Sequence, residues 1–224
     1  MGRVLIDLLP LVVGAGVVPI WIIVVLFLLR SEGGLTKAAC FAGGVLTVRL
    51  GQGVLFGYVF GTAEQQSGSD GAHLVVSTLL LVVGILMLLT AVKKLRKEGD
   101  PEAPPPKWMA AIDKVSAPRA FGMGALLVAI TAKQWVFTLS AVGVVGEAQL
   151  SHTGNVLAFL FYVVVGGLPV LLPVAAYAAA PGPSGRALGP VQAWLERYNR
   201  AIVIVVSLGF GTLFLWKGIT GLLG

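Results

Sequence analysis

The sequence predicts an all-α integral membrane protein, with six transmembrane helices forming two inverted three-helix repeats. Three observations predict it. Hydrophobic residues make up 57% of the 224 residues and charged ones only 12%, with a mean hydropathy of +0.92, whereas a soluble domain carries roughly 25% charged residues. Apolar runs that each approach the ~20 residues needed to cross a bilayer follow one another almost end to end. The basic residues gather in alternate connections between those runs.

The expected spans are Leu5–Leu29, Ala38–Gly61, Leu74–Val92, Ala120–Val145, Asn155–Ala179 and Ala201–Leu222. Unbroken apolar stretches such as Leu79–Val83 lack the alternation of a membrane β-barrel strand. The first run follows Arg3, as a secretory signal would. It is longer than the apolar core of a signal and lacks a cleavage pattern, so a true span is expected. Within it, Pro19 removes a backbone donor and clashes with the preceding turn, which predicts a kink or break near mid-bilayer. The second span holds Cys40, the only cysteine, which excludes a disulfide framework or a CxxC redox pair and reads as a small apolar filler. The fifth span carries Gly166, Gly167, Pro169 and Pro173 and reads as the most breakable helix of the chain.

Charge placement gives the expected topology. Arg30 and Lys37 lie between spans one and two, a run from Lys93 to Arg119 between three and four, and Arg186, Arg197 and Arg200 between five and six. The expected loops Thr62–His73 and Gly146–Gly154 contain no Lys or Arg. This alternation is the positive-inside pattern, which expects both termini outside a bacterial plasma (inner) membrane. It also answers the net charge of +6: basic loops facing anionic lipid headgroups explain it, and no nucleic acid is expected.

The charged, proline-rich stretch 93–118, including Pro104, Pro105 and Pro106, reads as a cytoplasmic linker between a first repeat (1–92) and a second (119–224). Three spans per half force the halves to enter the bilayer in opposite senses, as inverted repeats do. Weak internal similarity agrees. Pro19 within GAGVVPIW and Lys133 within AITAKQW mark the centres of spans one and four, and setting Phe41 against Phe159 places Arg49 opposite Gly167. Between spans five and six, Trp194, Leu195 and Tyr198 recur at helical spacing beside Arg197 and Arg200, which predicts a short interfacial helix.

Two basic residues at mid-span carry the functional reading. A cation at the bilayer centre costs at least about 2.5–3.5 kcal/mol on insertion-based scales, and no acid lies at the depth of Arg49 and Lys133. Asp7 and Glu147 lie 12–14 residues from the midplane cations, roughly 18–21 Å along a helix. Arg49 cannot lose its proton, so its planar fork needs acceptors, and a phosphate, sulfate or carboxylate suits it. Gln52, nearly one turn on, shares its face. Lys133 differs in kind, since an amine can exchange its proton, and it is the proton-coupling candidate. It is about 13 residues, roughly 20 Å of helix, from either end of its span. Thr131 and Gln134 flank it. The candidate substrate-binding set is therefore Arg49, Lys133, Pro19, Gln52, Thr131, Gln134, Gly166, Gly167 and Pro169. Gly51, Gly53 and Gly57 supply small faces for helix packing. His73 and His152 stand without a ligand cluster, so no metal is expected, and no nucleotide loop or catalytic triad appears, so neither an enzyme nor a cofactor is expected.

Three stretches together, VVPIWIIVVLFLL, ITAKQWVFTLSA and WLERYNRAIVIVVSLGFGTLFLWKGITGLL, resemble the peptidoglycolipid- and sulfolipid-addressing (GAP) family of the lysine-exporter (LysE) superfamily. The resemblance implies the six-helix inverted fold, export from the cytoplasm, and movement of glycolipids toward the cell envelope. The family's small-residue–Pro element is matched by Val18-Pro19. Its Asn-Pro-Lys element is Thr131-Ala132-Lys133 here, so only the lysine is kept, and whether span four breaks without the proline is open. The leading expectation is an exporter or flippase for an anionic lipid or glycolipid. The alternatives are an exporter of a small soluble amino acid or inorganic anion, and a non-transporting scaffold for lipid export. Membrane lipids are expected partners, and a homodimer or lipid-synthesis and export partners are compatible with the sequence.

Overall fold

The computed structural model describes residues 2–96 and 115–223. The linker stretch 97–114, with its four prolines, and the side chain of His73 lie outside the described residues. Seven helices carry the rest: α1 (Gly2–Gly16), α2 (Pro19–Arg30), α3 (Gly34–Arg96), α4 (Ala117–Ile130), α5 (Ala132–Glu147), α6 (His152–Ala179) and α7 (Pro181–Leu223). Among the described residues there is no strand. Four helical stretches are long and apolar enough to cross a membrane: Gly34–Tyr58, Val76–Arg96, His152–Ala179 and Pro181–Leu223. The pairs α1–α2 and α4–α5 bring the number to six if each bent pair is one span.

A straight helix of 63 residues would reach about 95 Å, which α3 does not do. Its start lies against the Leu28 and Leu29 carbonyls, beside Arg30. Its last turn accepts hydrogen bonds from Arg200, through the Lys94 and Leu95 carbonyls. Two turns before Arg200, Gln192 accepts from Arg30. Both ends of α3 therefore lie in one layer, and its two apolar segments run antiparallel. Helical backbone continues through 62–73, where a loop was expected, and α7 unites the expected interfacial helix with span six in one element. In the interfacial stretch Leu195 is buried while the rings of Trp194 and Tyr198, tilted against each other with centroids 5.4 Å apart, face outward.

Close packing depends on glycine at the crossings. A methyl at Gly44 would strike the Phe121 carbonyl, and one at Gly124 the Phe41 carbonyl, so the first segment of α3 and α4 meet backbone to backbone through reciprocal Phe-x-x-Gly elements. Of the three glycines expected to form a packing face, only Gly53 does so, against the Phe159 ring; Gly51 and Gly57 face open space. The apolar interior forms two clusters. One joins α2, the first segment of α3, α4 and parts of α6 and α7. The other joins α1, the second segment of α3, α5 and parts of α6 and α7. Arg49 touches the first through Trp21 and the second through Ala15, so it sits where the clusters meet.

Candidate functional site

The site starts from a missing hydrogen. In an unbroken helix the Ala15 carbonyl would accept from the backbone N–H of residue 19, but residue 19 is proline. α1 ends at Gly16, α2 begins at Pro19, and the two axes differ by 60°. The released Ala15 carbonyl accepts instead from Arg49 Nη2 at 2.9 Å and from Gln134 Nε2 at 3.0 Å. Gln134 Oε1 accepts in turn from the same Arg49 nitrogen at 3.2 Å. One carbonyl thus ties span one to a residue of span two and a residue of span four.

The second break falls at the matching place. Aligned on VVPIW and TAKQW, Pro19 corresponds to Lys133 and Trp21 to Trp135. The axes of Ala117–Ile130 and Lys133–Glu147 differ by 74°, so span four is broken without the family's proline. Side chains take over the released carbonyls. Thr131 Oγ1 donates to the Leu127 carbonyl and the Trp135 indole to the Ala129 carbonyl at 2.7 Å, while the Thr131 amide turns back to Val128.

Arg49 is 1% exposed, and its guanidinium lies 5.6 Å from the Trp21 ring centre. Both of its acceptors are neutral, and among the described residues no carboxylate pairs with it. Its Nε and Nη1 have no hydrogen-bond partner, and neither has Gln52 Nε2 on the same helix face. Gln52 Oε1 accepts from Thr138 Oγ1 at 3.2 Å, and Thr138 also meets the fully buried Tyr162 hydroxyl at 3.3 Å. Since Thr138 has one proton and gives it to Gln52, Tyr162 is the donor in the second contact. The polar chain therefore runs Tyr162 to Thr138 to Gln52, and the unpartnered nitrogens of Gln52 and Arg49 are all N–H donors.

The structure brings together Arg49, Gln134, Gln52 and, through Ala15, Pro19. Gly166 completes this group: a methyl there would come within 3.3 Å of Arg49 Nη1, and Gly16 and Gly166 approach so closely that a methyl on Gly16 would lie 2.8 Å from the Gly166 carbonyl. Thr131 shapes the second break. The Lys133 side chain is only partly buried, with its ammonium 5.3 Å from the Phe137 ring centre. Gly167 packs on Leu46. The expected break at span five does not occur, because α6 runs unbroken through Pro169 and Pro173. Two lost donors are tolerated there, and Gly166 and Gly167 serve close packing instead. Trp21, Thr138 and Tyr162 were not singled out from sequence. The signals for the first two existed: Trp21 follows the break as Trp135 does, and Thr138 lies one turn after Gln134. Lys217, within span six, also escaped notice; it pairs with Asp7 at 3.3 Å.

Residues 8–220 match the family model described as SfLAP: Sap, sulfolipid-1-addressing protein. No curated protein and no solved structure matches the chain.

Proposed function

This chain belongs to the Sap, sulfolipid-1-addressing protein family, and from that footing we propose that it is a secondary transporter, an exporter or flippase that carries an anionic lipid or glycolipid across the membrane. The observation that carries the reading is Arg49: a permanent cation, buried at mid-span, held by neutral acceptors and presenting unpartnered Nε and Nη1 beside the equally unpartnered Gln52 amide. Buried N–H donors without acceptors cost about 1–3 kcal/mol each, more when charged. A sulfate, phosphate or carboxylate head supplies acceptor oxygens in the geometry a guanidinium fork prefers. A resident carboxylate would hold the fork permanently, whereas a visiting head satisfies it and leaves again.

In this reading the six spans form two inverted three-helix units, as in the lysine-exporter superfamily. The matching positions of the two breaks support it, because each half then owns one hinge at the corresponding place. Rocking of the halves would expose the Arg49 group to the two sides in turn, with the acyl chains left in the bilayer. Lys133, in the first turn after the second break, is the proposed proton-coupling group. The basic connections belong to the cytoplasmic side of a plasma membrane, with both termini outside. Reconstituted vesicles carrying a fluorescent anionic lipid test the proposal. Arg49→Gln is expected to reduce its translocation at least tenfold, the effect of losing about 1.4 kcal/mol of differential binding; normal translocation by Arg49→Gln and Lys133→Ala would sink it.

A further inference from the structure

Away from the Arg49 group, a cleft of about 820 Å³ opens among α1, the second segment of α3, α5 and α7, within the roughly 300–1,000 Å³ typical of small-molecule sites. Its polar lining carries both signs of charge and hydroxyls, from Arg3, Asp7, Ser77, Glu147, Lys217 and Thr220. Carboxylates and hydroxyls suit the hydroxyl groups of a sugar, and the ammonium and guanidinium suit one acidic group on it. The remaining wall is mostly apolar and includes Phe214. Phe214 packs edge-on against Phe137 with centroids 5.8 Å apart, and Phe137 in turn presses on Gly14 and lies under the Lys133 ammonium. Thr138, the next residue, belongs to the buried polar chain. Two rings therefore separate the cleft floor from the Arg49 group.

We propose that this cleft is a second headgroup site, the release vestibule for an acidic glycolipid head, and that the Phe137–Phe214 pair is the gate between it and the buried site. The inference rests on the carrier reading above, since a gate needs a site on each side. The Asp7–Lys217 pair, about 40% exposed on each side chain, gives the vestibule its selectivity: an arriving acidic head takes Lys217 while sugar hydroxyls donate to Asp7. With the gate closed, the cleft is open to water and the Arg49 group is sealed from it. Opening requires Phe137 to leave Gly14, which also removes the ring from beneath Lys133.

Cysteine accessibility tests this without any transport assay, so its outcome is independent of the Arg49→Gln result. In a Cys40→Ser background reconstituted in vesicles, Thr220→Cys reports on the exposed lining of the cleft and Thr138→Cys on the buried chain. A membrane-impermeant methanethiosulfonate is expected to modify Thr220→Cys quickly and Thr138→Cys hardly at all, with Phe214→Ala raising the latter rate about tenfold through a shifted gate population. Octyl glucuronide, an acidic short-chain glycolipid, is expected to protect Thr220→Cys better than neutral octyl glucoside, and Lys217→Gln to abolish the difference. Unchanged Thr220→Cys labelling in Phe214→Ala shows that the fold is retained. Equal Thr138→Cys rates with and without Phe214, or equal protection by the two detergents, would overturn the gate and the headgroup site respectively.

Discussion

The two helix breaks occupy matching positions and differ in what they do with the carbonyls they release. The first is made by Pro19, and its released Ala15 carbonyl is shared between Arg49 and Gln134. The second is made without proline, and Thr131 and Trp135 consume its Leu127 and Ala129 carbonyls locally. Proline thus stands where a carbonyl must be kept available to another helix. Where local side chains can cap the released groups, proline is dispensable, and α5 instead contributes Gln134 as a donor to the other break. The asymmetry makes one half the holder of the cation and the other half its clamp.

The sharpest way to break this comparison is Pro19→Ala. It restores the N–H that competes for Ala15 and strips the buried Arg49 and Gln134 of their common acceptor. A loss of about 2–4 kcal/mol is expected from two orphaned buried donors, seen as a large drop in thermal stability in detergent; unchanged stability would mean the break does not depend on the proline. Next is Thr138→Val, which orphans the Tyr162 hydroxyl and Gln52 Oε1 at similar volume. It is expected to cost about 1–3 kcal/mol, readable by the same melt. Thr131→Val leaves the Leu127 carbonyl without its hydroxyl partner, and Trp135→Phe does the same to Ala129 while keeping a ring against Phe56. Each is expected to cost about 1 kcal/mol. The smallest effect is expected from Ala132→Pro, which restores the proline of the family element at the first position of α5. Proline is well tolerated there, so stability should change by less than about 1 kcal/mol. A strong destabilisation would show that the second break is closed by bonds other than those of Thr131 and Trp135.

The membrane class and the apolar runs that carry it were legible because hydropathy reports on the bilayer itself, which acts on every residue of a span. Arg49, Gln52, Gln134 and Pro19 were legible as a group because a charge, two amides and a proline are each conspicuous in an apolar run. The fate of individual breaks was not. Pro169 and Pro173 signalled a break where α6 continues, because two missing donors do not by themselves outweigh the packing of a whole helix. Thr131 was singled out as a binding group and not as a break, yet its hydroxyl and the Trp135 indole accompany a 74° bend. Such a break depends on which side chains reach the loose carbonyls, and spacing alone does not reveal that. The Asp7–Lys217 pair joins residues 210 apart and needed the folded arrangement of α1 against α7. The same holds for Tyr162, which reads as ordinary apolar filling until Thr138 and Gln52 are brought beside it.

The most direct measurement is native mass spectrometry of the protein released gently from its own membrane, wild type beside Arg49→Gln. The account predicts an anionic lipid retained by the wild type and lost from the variant. Equal lipid on both, or none on either, would contradict it and leave Arg49 as a structural residue satisfied within the fold.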